Sequence, residues 1–156
     1  MKTKKIKLLG KDYTIIKPSN LWLLDKQDQA MLRSGIIDKC KYAKSLLTNL
    51  PEQPQLEDFR EWENPISIEI GEGKTAKTFT FELSLEQALI LSNKAFDERG
   101  NFSNTGFLIE VGKVAKINID EDFRDMEDIK EFIGKYQETI KTNAIDEVIN
   151  AFESFR

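Results

Sequence analysis

Gly71-Glu72-Gly73-Lys74-Thr75 ends in Gly-Lys-Thr, residues that in the right frame cradle phosphate. A phosphate loop also needs a glycine five positions before Gly73, where this chain has Ile68, and a helix next, whose N-terminal amides face the anion. The residues that follow, Thr78-Phe79-Thr80-Phe81, alternate as a strand does, so the segment reads as a hairpin turn. The acidic group Asp120, Glu121, Asp122, Asp125, Asp128 and Glu131 puts a glutamate at the twelfth place of a calcium loop counted from Asp120. The fifth place is Arg124, however, and the sixth, where glycine permits the turn, is Asp125. Carboxylates at helix starts, facing the macrodipole, account for the cluster better.

The chain has no histidine, which removes the usual general base, the Ser-His and Cys-His nucleophile pairs and the commonest metal ligand. Its one cysteine, Cys40, has no intramolecular disulfide partner and no second thiol for a zinc site. Ile36, Ala43 and Leu47 share its helical face, so it reads as a small buried apolar residue. Two carboxylates suffice for a glycosidase, but among 27 acidic residues none is singled out. Lys41-Tyr42 and Lys135-Tyr136 interleave lysine with an aromatic as nucleic-acid binders do. They fall on expected helices where the ring packs and the lysine is solvated, and the net charge of −4 disfavours phosphate backbones. The expectation is a non-catalytic protein with no cofactor, metal ion or nucleic-acid partner.

The elements around these residues are readable from spacing. Lys4–Leu9 and Tyr13–Lys17 flank Gly10-Lys11-Asp12 as a hairpin. Pro18 ends the second strand, and Ser19 caps a helix from Asn20. A second helix is expected from near Ile36, with Cys40, Ala43, Leu47 and Leu50 on one face, closed by Pro51 and Pro54. Ile66, Ile68 and Ile70, then Phe79 and Phe81, form another alternating hairpin. Ser84-Leu85-Glu86-Gln87 is a capping box opening a further helix. Gly106–Ile119 fits either strand or helix by periodicity. Two amphipathic stripes close the chain: Met126, Ile129, Ile133, Tyr136 and Ile140, then Ile145, Val148, Phe152 and Phe155.

The order repeats. Hairpin, helix, polar loop with Gly35, apolar run and Glu57-Asp58-Phe59 are followed by hairpin, helix, polar loop with Gly100, apolar run and Glu121-Asp122-Phe123. Gly35 to Phe59 is 24 positions and Gly100 to Phe123 is 23. The repeat favours helix over strand for Gly106–Ile119. The fold class expected is α+β: two tandem β-hairpin-plus-helix units, residues 1–63 and 64–124, followed by one or two C-terminal amphipathic helices over 125–156. The basic start Met1-Lys2-Thr3-Lys4-Lys5 is followed by too short an apolar stretch for a signal peptide, and no segment reaches membrane-spanning length, so a cytosolic protein without a membrane partner is expected.

Pro18, Gly35, Lys41-Tyr42-Ala43-Lys44-Ser45-Leu46-Leu47, Pro51 and Leu56-Glu57-Asp58-Phe59 follow one another as in a known pattern. The stretch Tyr13–Phe59, about a third of the chain, resembles the tail assembly chaperones of long-tailed (siphovirus-type) bacteriophages and prophages. The second half departs from the pattern, with Phe-Leu-Ile-Glu-Val where the Tyr-Ala element would stand. The resemblance implies a cytoplasmic protein of the infected bacterium that binds the tape measure protein and keeps it soluble until tube subunits polymerise around it. A homo-oligomer is compatible with that role. The rival reading is a structural virion subunit of the tail or head-tail connector. A tape measure chain exposes long apolar helical stripes, which a groove or helix face would cover. Candidate contacts are Ile145, Val148, Phe152 and Phe155 on the last helix, with Trp22 and Trp62. The alternative for each is that it fills the core.

Overall fold

Two antiparallel hairpins begin the two halves of the chain, and they do not join into one sheet. The computed structural model describes residues 2–155. Strand β1 (Thr3–Leu8) pairs with β2 (Lys11–Ile16), with Ile6 opposite Tyr13. The connection is tighter than Gly10-Lys11-Asp12: Leu9 and Gly10 alone turn the chain, both at positive φ, as a two-residue hairpin requires. Strand β3 (Ile66–Ile70) pairs with β4 (Lys77–Phe81), Ile66 opposite Phe81 and Ile68 opposite Phe79, and buries its isoleucines alternately. An isolated two-stranded hairpin is marginal in water. Each therefore leans on aromatic rings from elsewhere: Tyr13 on Phe59 at 5.1 Å between centroids, and Phe79 on Phe123 and Phe132 at 5.6 and 5.5 Å.

Helices α1 (Asn20–Gln29) and α2 (Lys39–Leu47) follow the first hairpin, and α3 (Leu85–Lys94) and α4 (Asn104–Ala115) the second. Serine or aspartate caps all four, at Ser19, Asp38, Ser84 and Ser103, each accepting from an N–H three residues on. The Ser84–Gln87 capping box forms as its sequence suggests. Helix α2 starts at Lys39 and not near Ile36, because Ile37 is drawn into a bridge with Met31 and the chain must turn before it can coil. The ambiguous segment Gly106–Ile119 is helical as far as Ala115, where Lys116 in the left-handed region ends α4.

The correspondence between the halves reaches individual hydrogen bonds. Ser19 and Ser84, Ala30 and Ala95, Asp38 and Ser103, the caps of these helices, all differ by 65 positions. Asp38 N donates to Ala30 O at 2.7 Å, and Ser103 N to Ala95 O at 2.7 Å. Leu32 N–Ile36 O and Asp97 N–Asn101 O measure 2.9 and 2.8 Å. The bridges Met31–Ile37 and Phe96–Phe102 match, as do Gly35 and Gly100, at φ 82° and 81°. A 3-10 turn at Leu56–Phe59 and the short helix α5 (Ile119–Asp122) end the two halves.

Two helices follow. Helix α6 (Met126–Thr139) lies on β3, where Gly71 N donates to the Glu131 carboxylate at 2.9 Å and Lys135 Nζ donates to Glu69 O at 2.5 Å. Helix α7 (Asn143–Glu153) packs on α2, with Lys39 paired to Asp146 at 2.8 Å and the Tyr42 hydroxyl donating to Glu153 at 3.1 Å. The fold is α+β, with strand-helix units followed by C-terminal helices. One apolar cluster runs from Ile15 and Phe59 through Leu85 and Phe132 to Phe152.

Candidate partner-binding surface

The segment Gly71–Thr75 is a hairpin turn: Gly73–Thr75 form one 3-10 turn and strand β4 follows. Glycine at 71 is required twice over, by φ 78° and because a Cβ there would lie 2.7 Å from the Thr75 backbone oxygen. Most of the acidic cluster stands at helix starts, while Glu131, further along α6, accepts from Gly71 N. Asn118 caps α5, Asp122 accepts from Asn118 N and pairs with Lys77, and Asp125 caps α6 by accepting from Asp128 N. Asp128, buried, accepts from Arg124 N, Nε and Nη2 at 2.9, 3.0 and 2.9 Å. The Arg124 guanidinium holds its carboxyl below the usual aspartate range. Among the described residues, no group of three or more Cys, Asp or Glu is arranged to hold a metal ion. Cys40 is buried and its thiol is pushed up by that burial.

Four of the six expected contact residues belong to the core. Ile145, Val148 and Phe152 are fully enclosed, since the stripe of α7 faces α2. Trp62 is 6% exposed, and its indole N–H donates to Leu83 O at 2.8 Å. That bond, with Asn64 reaching both Leu83 N and Leu83 O, ties the inter-unit link to the end of the second hairpin. Side chains so engaged offer a partner no surface. Periodicity alone does not separate a stripe facing a partner from one facing the protein's own core.

Trp22 and Phe155 are half-buried and lie around the N-terminus of α1. Trp22 lines one shallow depression with Ile16 and Asn49, under the Lys26 ammonium, 5.6 Å from the ring centroid. Phe155 lines a second with Asn20 and Leu23, and Lys4 Nζ stands 5.0 Å from its ring centroid. Lys17 and Pro18 are common to both depressions.

No family model, curated protein or solved structure matches this chain.

Helix α1 itself is the unusual element. It carries Leu21-Trp22-Leu23-Leu24, yet none of its residues is buried. Leu21 is 80% exposed and Leu24 54%, with Met31 just past the helix end also exposed. In a chain of this size scattered exposed leucines are ordinary, but Leu21 and Leu24 are three apart on one helix and so share a face. Sequence reasoning missed them because four consecutive apolar residues resemble a core run. Setting Ser19 against Ser84 shows the difference, since Leu21 then stands where the second unit has the charged Glu86.

Proposed function

We propose that this protein is a non-catalytic tail assembly chaperone of a phage or prophage, acting in the cytoplasm of the bacterial host on the tape measure protein. What supports the reading most is the neighbourhood of Trp22 and Phe155: two aromatic edges beside shallow depressions, each ring under a lysine ammonium. Apolar rings rimmed by cations suit an amphipathic helix that presents leucines flanked by carboxylates. The residues behind the resemblance also have structural work. Tyr42, Ala43, Leu46 and Leu47 are the buried face of α2, and Pro18 precedes the Ser19 cap. Among the described residues no helix is long and apolar enough to cross a membrane.

The test is co-expression with the tape measure protein followed by size-exclusion chromatography. Co-elution that weakens at least tenfold in the Trp22→Ala/Phe155→Ala variant is expected. Co-elution unaffected by that variant would remove this surface, and separate elution would remove the chaperone reading.

A further inference from the structure

The two units meet at a joint whose residues can be named. Helix α3 packs on α2 and on the 3-10 turn Leu56–Phe59. Glu57 Oε1 accepts from Leu85 N at 2.6 Å and Glu86 N at 3.3 Å, closing the free amides of α3. Lys44 Nζ donates to Glu86 at 2.5 Å, and Asn93 Nδ2 to Asp38 Oδ1 at 2.8 Å. A Cβ on Gly100 would stand 3.1 Å from Ser34 O, so the two polar loops also touch. Leu85 and Leu89 of α3 are thereby buried.

Each half of this joint recurs, unpartnered, at an opposite end of the molecule. A shift of 65 residues carries the α3 side onto α1: Leu85 to Asn20, Glu86 to Leu21, Leu89 to Leu24, Asn93 to Asp28 and Gly100 to Gly35. Leu21 and Leu24 are exposed, and a Cβ on Gly35 would meet nothing within 4 Å. The same shift carries the α2 side onto α4: Lys44 to Ile109 and Asp38 to Ser103, while alignment on Phe59 and Phe123 carries Glu57 to Glu121. Ile109 is 46% exposed and Glu121 is exposed.

The two vacant halves complement one another. Where the internal joint has the ion pair Lys44–Glu86, both corresponding residues are apolar, Ile109 and Leu21, so superposing the joint sets an aliphatic pair in its place. Glu121 falls where Glu57 accepts from a helix start, opposite Asn20 N and Leu21 N of α1. Asp28 and Ser103 exchange the roles of Asn93 and Asp38, with an acceptor carboxylate now opposite a hydroxyl whose proton is free to donate. A carboxylate at the start of α1 also suits its dipole.

We propose that the α4–α5 end of one copy docks on α1 of a second copy, repeating between molecules the joint that holds the two units together within one. The contact is heterologous, so it generates a ring if the rotation closes and an open filament if it does not. It uses the Leu21–Leu24 face of α1, about a quarter of a turn or more from Trp22, and does not depend on the chaperone reading.

Sedimentation velocity of the full chain over a wide concentration range tests it, with Leu21→Glu and Ile109→Lys as variants at exposed positions that leave the fold unchanged by circular dichroism. Wild type is expected to grow beyond one copy with concentration, and each variant alone to remain at one copy. An equimolar mixture of the two variants regains at least a two-copy species, because the Leu21→Glu chain still carries Ile109 and the Ile109→Lys chain still carries Leu21. Wild type that stays at one copy throughout, variants that assemble as wild type does, or a mixture that stays at one copy would each overturn the proposal.

Discussion

Phe152→Ala separates a core role for α7 from a partner-binding one. Phe152 is 1% exposed on the face of α7 that packs on α2, so truncation removes a whole ring from a closed site. Such a change costs about 3–5 kcal/mol through lost burial and the cavity left behind. At roughly 2–4 °C per kcal/mol for a domain of this length, the melting temperature should fall by about 6–20 °C. Phe155→Ala, three residues along and beyond the end of α7, is the control. Its ring is half-buried at the edge of the core with the Lys4 ammonium 5.0 Å from its centroid, so truncation there should cost clearly less than at Phe152. Thermal and urea unfolding followed by circular dichroism give both numbers on one preparation. If Phe152→Ala unfolded within about 1 kcal/mol of wild type, α7 would not be sealing the α2 side and the assignment of its stripe to the core would be wrong.

Other consequences follow from single contacts. Asp128 has its folded-state pKa lowered by Arg124, so its contribution is full above the ordinary aspartate range and is lost as pH falls through the folded value. Asp128→Asn should therefore be destabilised at pH 7 in urea unfolding, with the difference from wild type closing toward acid; a pH-independent difference would refute the pairing. Gly71→Ala should cost about 1–3 kcal/mol in the same assay, from left-handed backbone strain alone before the clash with Thr75 O is counted. Tyr13, Tyr42 and Tyr136 are all raised, chiefly by burial, and these are the three tyrosines of the chain. Because the neutral phenol is favoured in the folded state, stability is full below the unfolded value of ~10 and is lost as pH rises from there through the folded values. Ionisation read by ultraviolet difference absorbance should coincide with alkaline unfolding, and phenolate appearing in a still-folded protein would contradict their burial.

How far the sequence carries depends on the range of the interaction behind each feature. The isoleucines of β3 and the Ser84–Gln87 box are local, and both stand where their spacing puts them. The start of α2 was displaced by a bridge across a polar loop, which apolar periodicity through Ile36 hides. The Gly106–Ile119 segment was ambiguous by period, and only the likeness to the first half favoured helix. At the candidate surface, Trp22 and Phe155 keep exposed edges, whereas Trp62, Ile145, Val148 and Phe152 face inward. An amphipathic stripe states that it needs cover, not which surface supplies it. The bare face of α1 is a property of what is missing beside it, namely the neighbour that α3 has in α2. No local pattern encodes a missing neighbour, but the unequal partners Leu21 and Glu86 do once the halves are aligned.

The central claim, a chaperone for an apolar helical partner, is tested most directly by the soluble fraction of the tape measure protein expressed with and without this chain. The account predicts a several-fold rise in soluble tape measure protein, lost with Trp22→Ala/Phe155→Ala, and no copy of this chain in purified phage particles. An unchanged soluble fraction, with this chain instead retained in finished particles, would contradict it and identify a structural subunit of the virion.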